Sequence, residues 1–271
     1  MKDAIEDQLR QIKQTVPKTE NVAALNEQVW QLKGILARSK RVVFLGGAGT
    51  STESGIPDFR SSDGVFTAMK QFGHTPEVLL SHTFFETHPE EFFEYYRAYL
   101  LHPKAQPNDA HRALARLEAE GKLSAVITQN IDGLHQKAGS KNVLELHGSV
   151  FRNHCVNCNR AYTLDEVVKK SVVPRCYCGG VIKPDVVLYE EALNEQTWRA
   201  AMTQIHRADT LIVGGTSLLV YPAAGLVDYF QGSNLVVINL GKTSKDACAT
   251  LAISAPIGKV LRDAVLSAKT A

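Results

Sequence analysis

Four cysteines in one short segment have the spacing of metal ligands. Cys155 and Cys158 have two residues between them, and Cys176 and Cys178 follow after seventeen residues with one residue between them. Four thiolates in two close pairs match a closed tetrahedral zinc site, which leaves no coordination position open for catalysis. A redox or disulfide role is the alternative, and a cytosolic chain disfavours it. We therefore expect one structural zinc ion, whose binding supplies folding energy to a segment with few large apolar residues.

A glycine-rich turn follows the first β-branched run of the chain. The run at 41–45 (RVVFL) is typical of a strand buried on both faces of a parallel sheet, and the turn at 47–49 (GAG) comes soon after it. Open α/β sheets bind ligands at the carboxyl ends of such strands, and the glycines let the backbone approach a pyrophosphate. Thr52 stands where the usual dinucleotide fingerprint has its third glycine, which disfavours a plain dehydrogenase. A tight turn without a ligand stays open.

Polar groups also follow three further predicted strands. The run at 124–128 leads into TQNIDGLH at 128–135, whose amide and carboxylate groups suit a carboxamide ligand. The runs at 210–214 and 235–239 end in GGTS and NLG, whose hydroxyls and amide can reach a ribose. The sequence therefore predicts a nucleotide site along one edge of a parallel sheet.

One histidine precedes the cysteine segment directly. His147 lies in the sequence ELHGS, between an apolar residue and a glycine. Such a histidine is either a satisfied structural residue or a general base, because imidazole changes its charge near neutral pH. The residues alone leave both roles open.

Helical patterns and strands alternate around these motifs. Residues 1–16 and 22–36 have helical periodicity on either side of Pro17, and 67–105 is a helical, aromatic stretch whose rings we expect to pack in a core. Helices between the strands predict an α/β fold, with a doubly wound parallel (Rossmann-like) sheet, a smaller zinc-binding domain and a helical insert. The predicted division is an N-terminal helical extension at 1–28, a Rossmann-like domain at 29–66, 106–150 and 186–271, a helical insert at 67–105 and a zinc-binding module at 151–185.

The composition is ordinary for a globular enzyme. The 271 residues have a formal net charge of +2, and 44% of them are hydrophobic. Lysine and arginine are spread along the chain rather than clustered, so we expect no direct binding of nucleic acid. No apolar run reaches the roughly 18 residues that span a bilayer, and the first residues do not form a signal peptide. The composition favours a cytoplasmic protein without membrane contact.

Taken in order, the motifs resemble those of one family, the sirtuins. The stretches that carry the resemblance are GAGTSTESGIPDFR, TQNIDGLH, ELHGS, the two cysteine pairs, KPDVVLYEEAL, GTSLLVYPAAGL and VVINLG, within about residues 30–260. Sirtuins are NAD-dependent protein lysine deacylases, and the resemblance is to the bacterial type. It implies NAD as co-substrate, a structural zinc ion and acyl-lysine proteins as partners.

The resemblance also implies a role for particular residues. His147 matches the general base, Asn130 is a second catalytic residue, and Ile131 and Asp132 with Asn130 match the pocket for the nicotinamide carboxamide. Phe59 lies near the nicotinamide and ribose in such a site, and Arg60 contacts phosphates or ribose. Cys248 lies beside adenine, where we expect it to be buried rather than reactive. The residues that match NAD contacts are Ala48, Thr52, Phe59, Arg60, Gln129, Ile131, Asp132, His147, Thr216, Ser217, Asn239, Leu240 and Cys248.

The implied reaction removes an acyl group from lysine and consumes NAD. The acyl oxygen attacks the ribose as nicotinamide leaves, and the base then activates a ribose hydroxyl for attack on the resulting alkylimidate. Water completes the turnover, so that the products are free lysine, nicotinamide and O-acyl-ADP-ribose. Members that remove acidic acyl groups carry a tyrosine and an arginine three residues apart. The nearest match here is Tyr96 with Tyr99, with Arg97 only adjacent, so we expect neutral acyl groups. A sirtuin-type ADP-ribosyltransferase and a non-enzymatic NAD-sensing module are the alternatives.

The resemblance extends to the substrate. Val187, Leu188 and Tyr189 match the segment that borders the acyl-lysine channel and pairs with the substrate backbone as a strand. Glu190 stands where the family commonly has a glycine. We expect this carboxylate to affect the peptide preference, in favour of basic flanking residues.

Overall fold

The structure is a computed structural model, and it describes residues 20–58 and 62–267. The helix predicted within residues 1–16 lies outside the described residues, as do Phe59 and Arg60 of the predicted cofactor site. The second predicted helix is present as α1, Glu20–Arg38. Among the described residues, none of the helices is both long enough and apolar enough to cross a membrane.

The large sheet has six parallel strands in the order β3-β2-β1-β7-β8-β9. All five residues of β1 are buried, as expected of a strand covered on both faces. Because β1 lies between β2 and β7, the order along the sheet reverses there, and this is where such folds bind ligands. The strands are β1 Val42–Gly46, β2 Leu123–Thr128, β3 Val143–Glu145, β7 Thr210–Gly214, β8 Asn234–Ile238 and β9 Leu251–Ile253.

Helices cover both faces of this sheet. Alternate residues of β1 point to opposite faces, so Val42 and Phe44 join one hydrophobic core whereas Val43 and Leu45 join the other. The first core includes α1, α6 (Asp109–Ala119) and α10 (Ile257–Leu261), and the second includes α9 (Glu195–His206) and the 3₁₀ helix Ala223–Tyr229. The predicted α/β class with a doubly wound parallel sheet is confirmed.

A helical insert follows β1 and packs around its own aromatic core. Phe92, Phe93, Tyr95 and Tyr96 are at most 1% exposed, which confirms that the aromatic stretch forms a core. The helices are α2 Ser62–Phe72, α3 Pro76–Leu79, α4 His82–Thr87 and α5 Pro89–Tyr95, which continues as a π-helical turn, Tyr96–Leu100. A short helix, α7 (Leu134–Lys137), follows β2.

A second, smaller sheet carries the cysteines. It is antiparallel, with the order β5-β4-β6. Its strands are β4 Gly148–Cys155, β5 Ala161–Thr163 and β6 Ile182–Val186, and α8 (Leu164–Val168) follows β5. Thr163 and Glu166 form a capping box that starts α8. The division into domains given above stays a prediction.

Candidate active site

The glycine turn after β1 packs directly on the turn after β7. The amide of Gly49 donates a hydrogen bond to the carbonyl oxygen of Gly215 at 2.8 Å. Gly215 has a φ of +59°, and a Cβ atom there would lie 2.3 Å from the amide nitrogen of Thr50. Only glycine permits this approach. Because the two turns pack so closely, the carboxyl ends of β1 and β7 border the same cavity.

The larger cavity, of about 940 Å³, lies over the carboxyl ends of β1, β7 and β8. Hydroxyl and amide groups line it together with backbone of the glycine turn, and Gln129 Nε2 donates to Thr216 Oγ1 at 3.2 Å. A cavity of this size and mixed character fits a dinucleotide. The predicted cofactor residues that it brings together are Ala48, Thr52, Gln129, Thr216, Ser217, Asn239 and Leu240.

A smaller cavity, of about 110 Å³, adjoins the first and shares Ala48, Gln129 and Tyr189 with it. It joins residues that are far apart in the chain, from the turn after β2, the loop before β4 and the segment after β6. The predicted residues that line it are Asn130, Ile131, Asp132, His147, Val187, Leu188 and Tyr189.

Ser51 connects the two polar residues of the predicted carboxamide pocket. Its hydroxyl donates to Asp132 Oδ2 at 2.6 Å and accepts from Asn130 Nδ2 at 3.0 Å. Burial raises the pKa of Asp132, against the lowering effect of the bonds from Ser51 and the Leu134 amide. The pocket therefore presents fixed donors and acceptors, as a carboxamide requires.

His147 is oriented by a backbone carbonyl. Its Nδ1 lies 2.9 Å from the carbonyl oxygen of Gln129, which can only accept a hydrogen bond. In the neutral ring the proton is therefore on Nδ1, and Nε2 is the basic nitrogen. This arrangement suits a general base rather than a buried structural histidine, since the ring also lines the small cavity.

The segment after β6 is held at both ends. The Val187 amide donates to the carbonyl oxygen of His147 at 3.0 Å. Tyr189 exchanges backbone hydrogen bonds with Leu80 and His82, both at 3.0 Å, at the start of α4. The segment thus runs from the histidine to the helical insert and forms one wall of the small cavity.

The four cysteines of the small sheet form one cluster. Their sulfur atoms all lie within 4.8 Å of one another. The shortest pairs, Cys155 with Cys178 and Cys158 with Cys176, are 3.4 and 3.5 Å apart, far longer than the roughly 2.05 Å of a disulfide. Hydrogen bonds from the Cys178 amide and the Tyr162 hydroxyl lower the pKa of Cys176 to about 6. The Gly180 amide lowers the pKa of Cys178, but the three neighbouring thiols raise it by more. The donor set fits one zinc ion, and Cys178 belongs to it despite its short spacing.

One expectation about the cofactor residues is wrong. Cys248 is exposed, not buried, because it lies in a 3₁₀ turn, Asp246–Cys248, outside the sheet core. Its sulfur donates to the carbonyl oxygen of Lys245, and the residue lines neither cavity.

The structure adds residues to the site that the sequence did not single out. Ser51 lay within the glycine-turn motif, but only the fold shows its contacts with Asn130 and Asp132. His102 lines the small cavity from the helical insert, and so does Tyr99, which the sequence offered only as part of the nearest match to the pair that selects acidic acyl groups. No local spacing could predict them, because the insert reaches the sheet edge only through tertiary packing.

Arg97 lies away from the small cavity. Its guanidinium donates to the carbonyl oxygens of Ser171 at 2.9 Å and Val172 at 3.3 Å, beyond α8. None of the described residues that line the small cavity is a lysine or an arginine.

A family comparison agrees with this geometry. The model of the Sir2 family matches residues 47–222. This range begins at the glycine turn after β1 and ends shortly after the polar residues that follow β7. The chain belongs to the Sir2 family. The family that the motifs resemble is thereby confirmed.

Bacterial relatives are similar over most of the chain. An NAD-dependent protein deacetylase of Clostridium perfringens is 57% identical over 239 residues, which cover 88% of this chain and 98% of the relative. One of Cutibacterium acnes is 54% identical over 231 residues, which cover 85% of this chain and 95% of the relative.

Solved Sir2 structures share the fold. The structure of Sir2 with a p53 peptide and NAD⁺ is 42% identical with a TM-score of 0.77, and the match covers 86% of this chain and 95% of that one. The structure of a Sir2 variant with a deacetylated p53 peptide and 3′-O-acetyl ADP ribose is 41% identical with a TM-score of 0.80, and covers 87% and 96%.

Proposed function

We propose that this Sir2-family chain is an NAD-dependent protein lysine deacetylase that acts on neutral acyl groups, releases nicotinamide and transfers the acyl group to ADP-ribose. The main observation in support of the proposal is that His147, Asn130 and Asp132 line one small cavity, and that this cavity adjoins the larger one. The deacetylase names of relatives up to 57% identical support it.

The two adjoining cavities fit the two ends of NAD. Thr216, Ser217 and Asn239 offer hydroxyls and an amide to the adenosine part, and the glycine turn offers its backbone to the pyrophosphate. Asn130 and Asp132 would hold the carboxamide of nicotinamide. Bound NAD supplies the ribose carbon that the acyl oxygen attacks as nicotinamide leaves, and the ADP-ribose that accepts the acyl group.

His147 would act as the base. It accepts a proton at Nε2 from a ribose hydroxyl, while its Nδ1–H stays bonded to the Gln129 carbonyl oxygen. That carbonyl holds the ring in one orientation and stabilises its charged form. Ser51 fixes Asn130 and Asp132 and so prevents the carboxamide pocket from rearranging.

The wall of the small cavity supports a preference for neutral acyl groups. Val187, Leu188 and Tyr189 border the channel that would take the acyl-lysine. A carboxylate at the end of an acyl chain would be buried there without a lysine or arginine among the described lining residues, because Arg97 donates to carbonyl oxygens elsewhere.

The four cysteines would hold a zinc ion that stabilises the small sheet. Four thiolates complete its coordination, so it has no open position for the reaction. We also propose that the protein works in the cytoplasm on acyl-lysine proteins, without direct contact to nucleic acid. The dispersed basic residues and the unpaired thiols support this.

A comparison of acyl peptides tests the proposal. Acetyl-lysine and succinyl-lysine peptides of one sequence are incubated with and without NAD and analysed by chromatography. We expect removal of acetyl only with NAD, and removal of succinyl about 100-fold more slowly. Equal rates for both peptides would contradict the neutral preference, and ADP-ribose attached to protein with acetyl retained would favour the transferase alternative.

A further inference from the structure

A groove lies on the side of Tyr189 that faces the helical insert. It has a volume of about 540 Å³ and is open to solvent, between α3–α4 and the end of the substrate segment. Tyr189 lines this groove and both cavities of the active site, and Glu77 lines the groove and the larger cavity. We call it the flank groove. A peptide with its acyl-lysine in the small cavity would pass beside it.

Glu190 is held over the flank groove in an unusual backbone conformation. Its φ is +75°, a left-handed value that residues other than glycine rarely adopt. Its carboxylate accepts hydrogen bonds from the Thr83 amide at 2.9 Å and the Thr83 hydroxyl at 2.7 Å. These two bonds lower the pKa of Glu190, so the side chain is ionised and fixed in place.

The flank groove contains two carboxylates that have no lysine or arginine partner among the described residues. Glu77 and Glu190 both line it, and neither forms an ion pair with a lysine or arginine among the described residues. Glu191, the next residue, differs, since it pairs with Lys183 at 3.1 Å and with His82 at 2.9 Å. The groove therefore has a negative charge that a ligand can compensate.

Aromatic rings form the other surface of the flank groove. Phe84 lies between two histidines, stacked on His88 with 4.8 Å between ring centroids and edge-on to His74 at 5.4 Å. All three rings line the groove. Phe84 is only 5% exposed, so the rings that a ligand can reach are those of His74 and His88. A planar guanidinium can stack on an exposed ring while it pairs with a carboxylate, and an ammonium group does this less well.

We propose that the flank groove binds an arginine side chain of the substrate, close to the acyl-lysine. The inference rests on the proposed function. Glu190 is three residues from Val187, which contacts His147. The chain turns at Glu190, where the Glu191 amide donates to the Leu188 carbonyl oxygen at 3.1 Å, so this span is at most about 10 Å. The arginine is therefore two or three residues from the acyl-lysine. Glu77 and Glu190 act as specificity-determining residues, and Thr83 positions Glu190.

Peptide kinetics test this inference. Arginine is placed in turn at each of three positions on both sides of an acetyl-lysine, and each peptide is compared with one that carries citrulline, which has the same shape without the charge. We expect a KM about fivefold lower for arginine at one position two or three residues from the lysine, with kcat unchanged. The difference falls as salt is raised to about 0.5 M, since salt screens exposed charges.

Charge-neutralising variants test the assignment. The double variant Glu77→Gln with Glu190→Gln should lose the preference for arginine, because glutamine keeps an oxygen for Thr83 but has no charge. Glu94→Gln, an exposed change on α5 away from the flank groove, should keep the preference.

The outcomes separate the inference from the proposed function. Deacetylation with equal KM for arginine and citrulline at every position overturns the inference alone. A preference that the double variant retains overturns the assignment of the two carboxylates. If no acetyl peptide is deacetylated with NAD, the proposed function fails and the inference fails with it.

Discussion

At the level of single residues, one hydrogen bond decides which nitrogen of His147 can act as a base. The Gln129 carbonyl engages Nδ1 and leaves Nε2 as the basic atom. His147→Ala should lower the deacetylation rate about 1000-fold, the size of a general-base contribution, while the Kd for NAD changes less than about threefold. Initial rates and calorimetry measure the two quantities. Full activity in this variant would remove His147 from its role.

Asp132 combines burial with a charge, which is unfavourable for stability. Burial raises the pKa of Asp132 in the folded chain above its value in the unfolded chain. Ionisation of Asp132 therefore lowers the free energy of unfolding above the folded-state pKa, and this destabilisation disappears as the pH falls below that pKa. Asp132→Asn should therefore raise the Tm at pH 7 by about 2–4 °C, by less at lower pH, and weaken inhibition by nicotinamide. Thermal melts and inhibition curves give both values. An unchanged response to nicotinamide would exclude this carboxylate from the carboxamide pocket.

At the level of elements, α6 and α7 meet at a buried pair of histidines. The rings of His111 and His135 lie 4.7 Å apart, and neither nitrogen of His135 has a hydrogen-bond partner among the described residues. Burial lowers the pKa of His111 to about 4 and that of His135 well below 6.5. Both are therefore neutral in the folded protein near neutral pH.

Because of the buried pair His111 and His135, we expect the protein to lose stability in mild acid. Unfolded imidazoles take up protons near pH 6.5, so the unfolded chain binds more protons than the folded one as the pH falls from about 6.5 toward 4. The free energy of unfolding, measured with urea at several pH values across this range, should depend less on pH for His135→Leu than for the wild type. His206→Leu, an exposed control on α9, should follow the wild type. Equal slopes for His135→Leu and the wild type would contradict this account.

We expect the stability of the small sheet to depend on its zinc ion. It has a minor core of five residues, two of them the cysteines Cys155 and Cys176. Removal of zinc by a chelator should lower the Tm by about 10 °C or more and abolish activity through loss of the sheet that carries β6. Differential scanning calorimetry with metal analysis measures this. A chelated, metal-free protein that kept its Tm and activity would show that the cysteines are not a structural site.

At the level of the whole molecule, the sequence was most informative where side chains are buried on both faces. The runs at 124–128 and 210–214 predicted β2 and β7 closely, because parallel strands are continuous apolar runs. The strands β3 and β9 have only three residues each, too few to form a continuous apolar run, and gave no comparable signal. The motifs singled out residues at the ends of β1, β2, β7 and β8, which the parallel topology of the sheet brings to one edge.

What the sequence could not predict depends on contacts between distant segments. Tyr99 and His102 reach the small cavity, and Glu77 reaches the flank groove, only because the helical insert folds back onto the segment after β6. The exposure of Cys248 was not predicted for a related reason, since a turn outside the sheet has no hydrophobic pattern that indicates burial or exposure.

In the proposed function, one site couples lysine deacetylation to the consumption of NAD. Mass-spectrometric quantification of all products from an acetyl-lysine peptide, incubated with the protein and NAD, tests this coupling. We expect one nicotinamide and one O-acetyl-ADP-ribose for each lysine freed, and no reaction without NAD. Free acetate released without acetyl-ADP-ribose, or nicotinamide formed while the peptide stays acetylated, would contradict it.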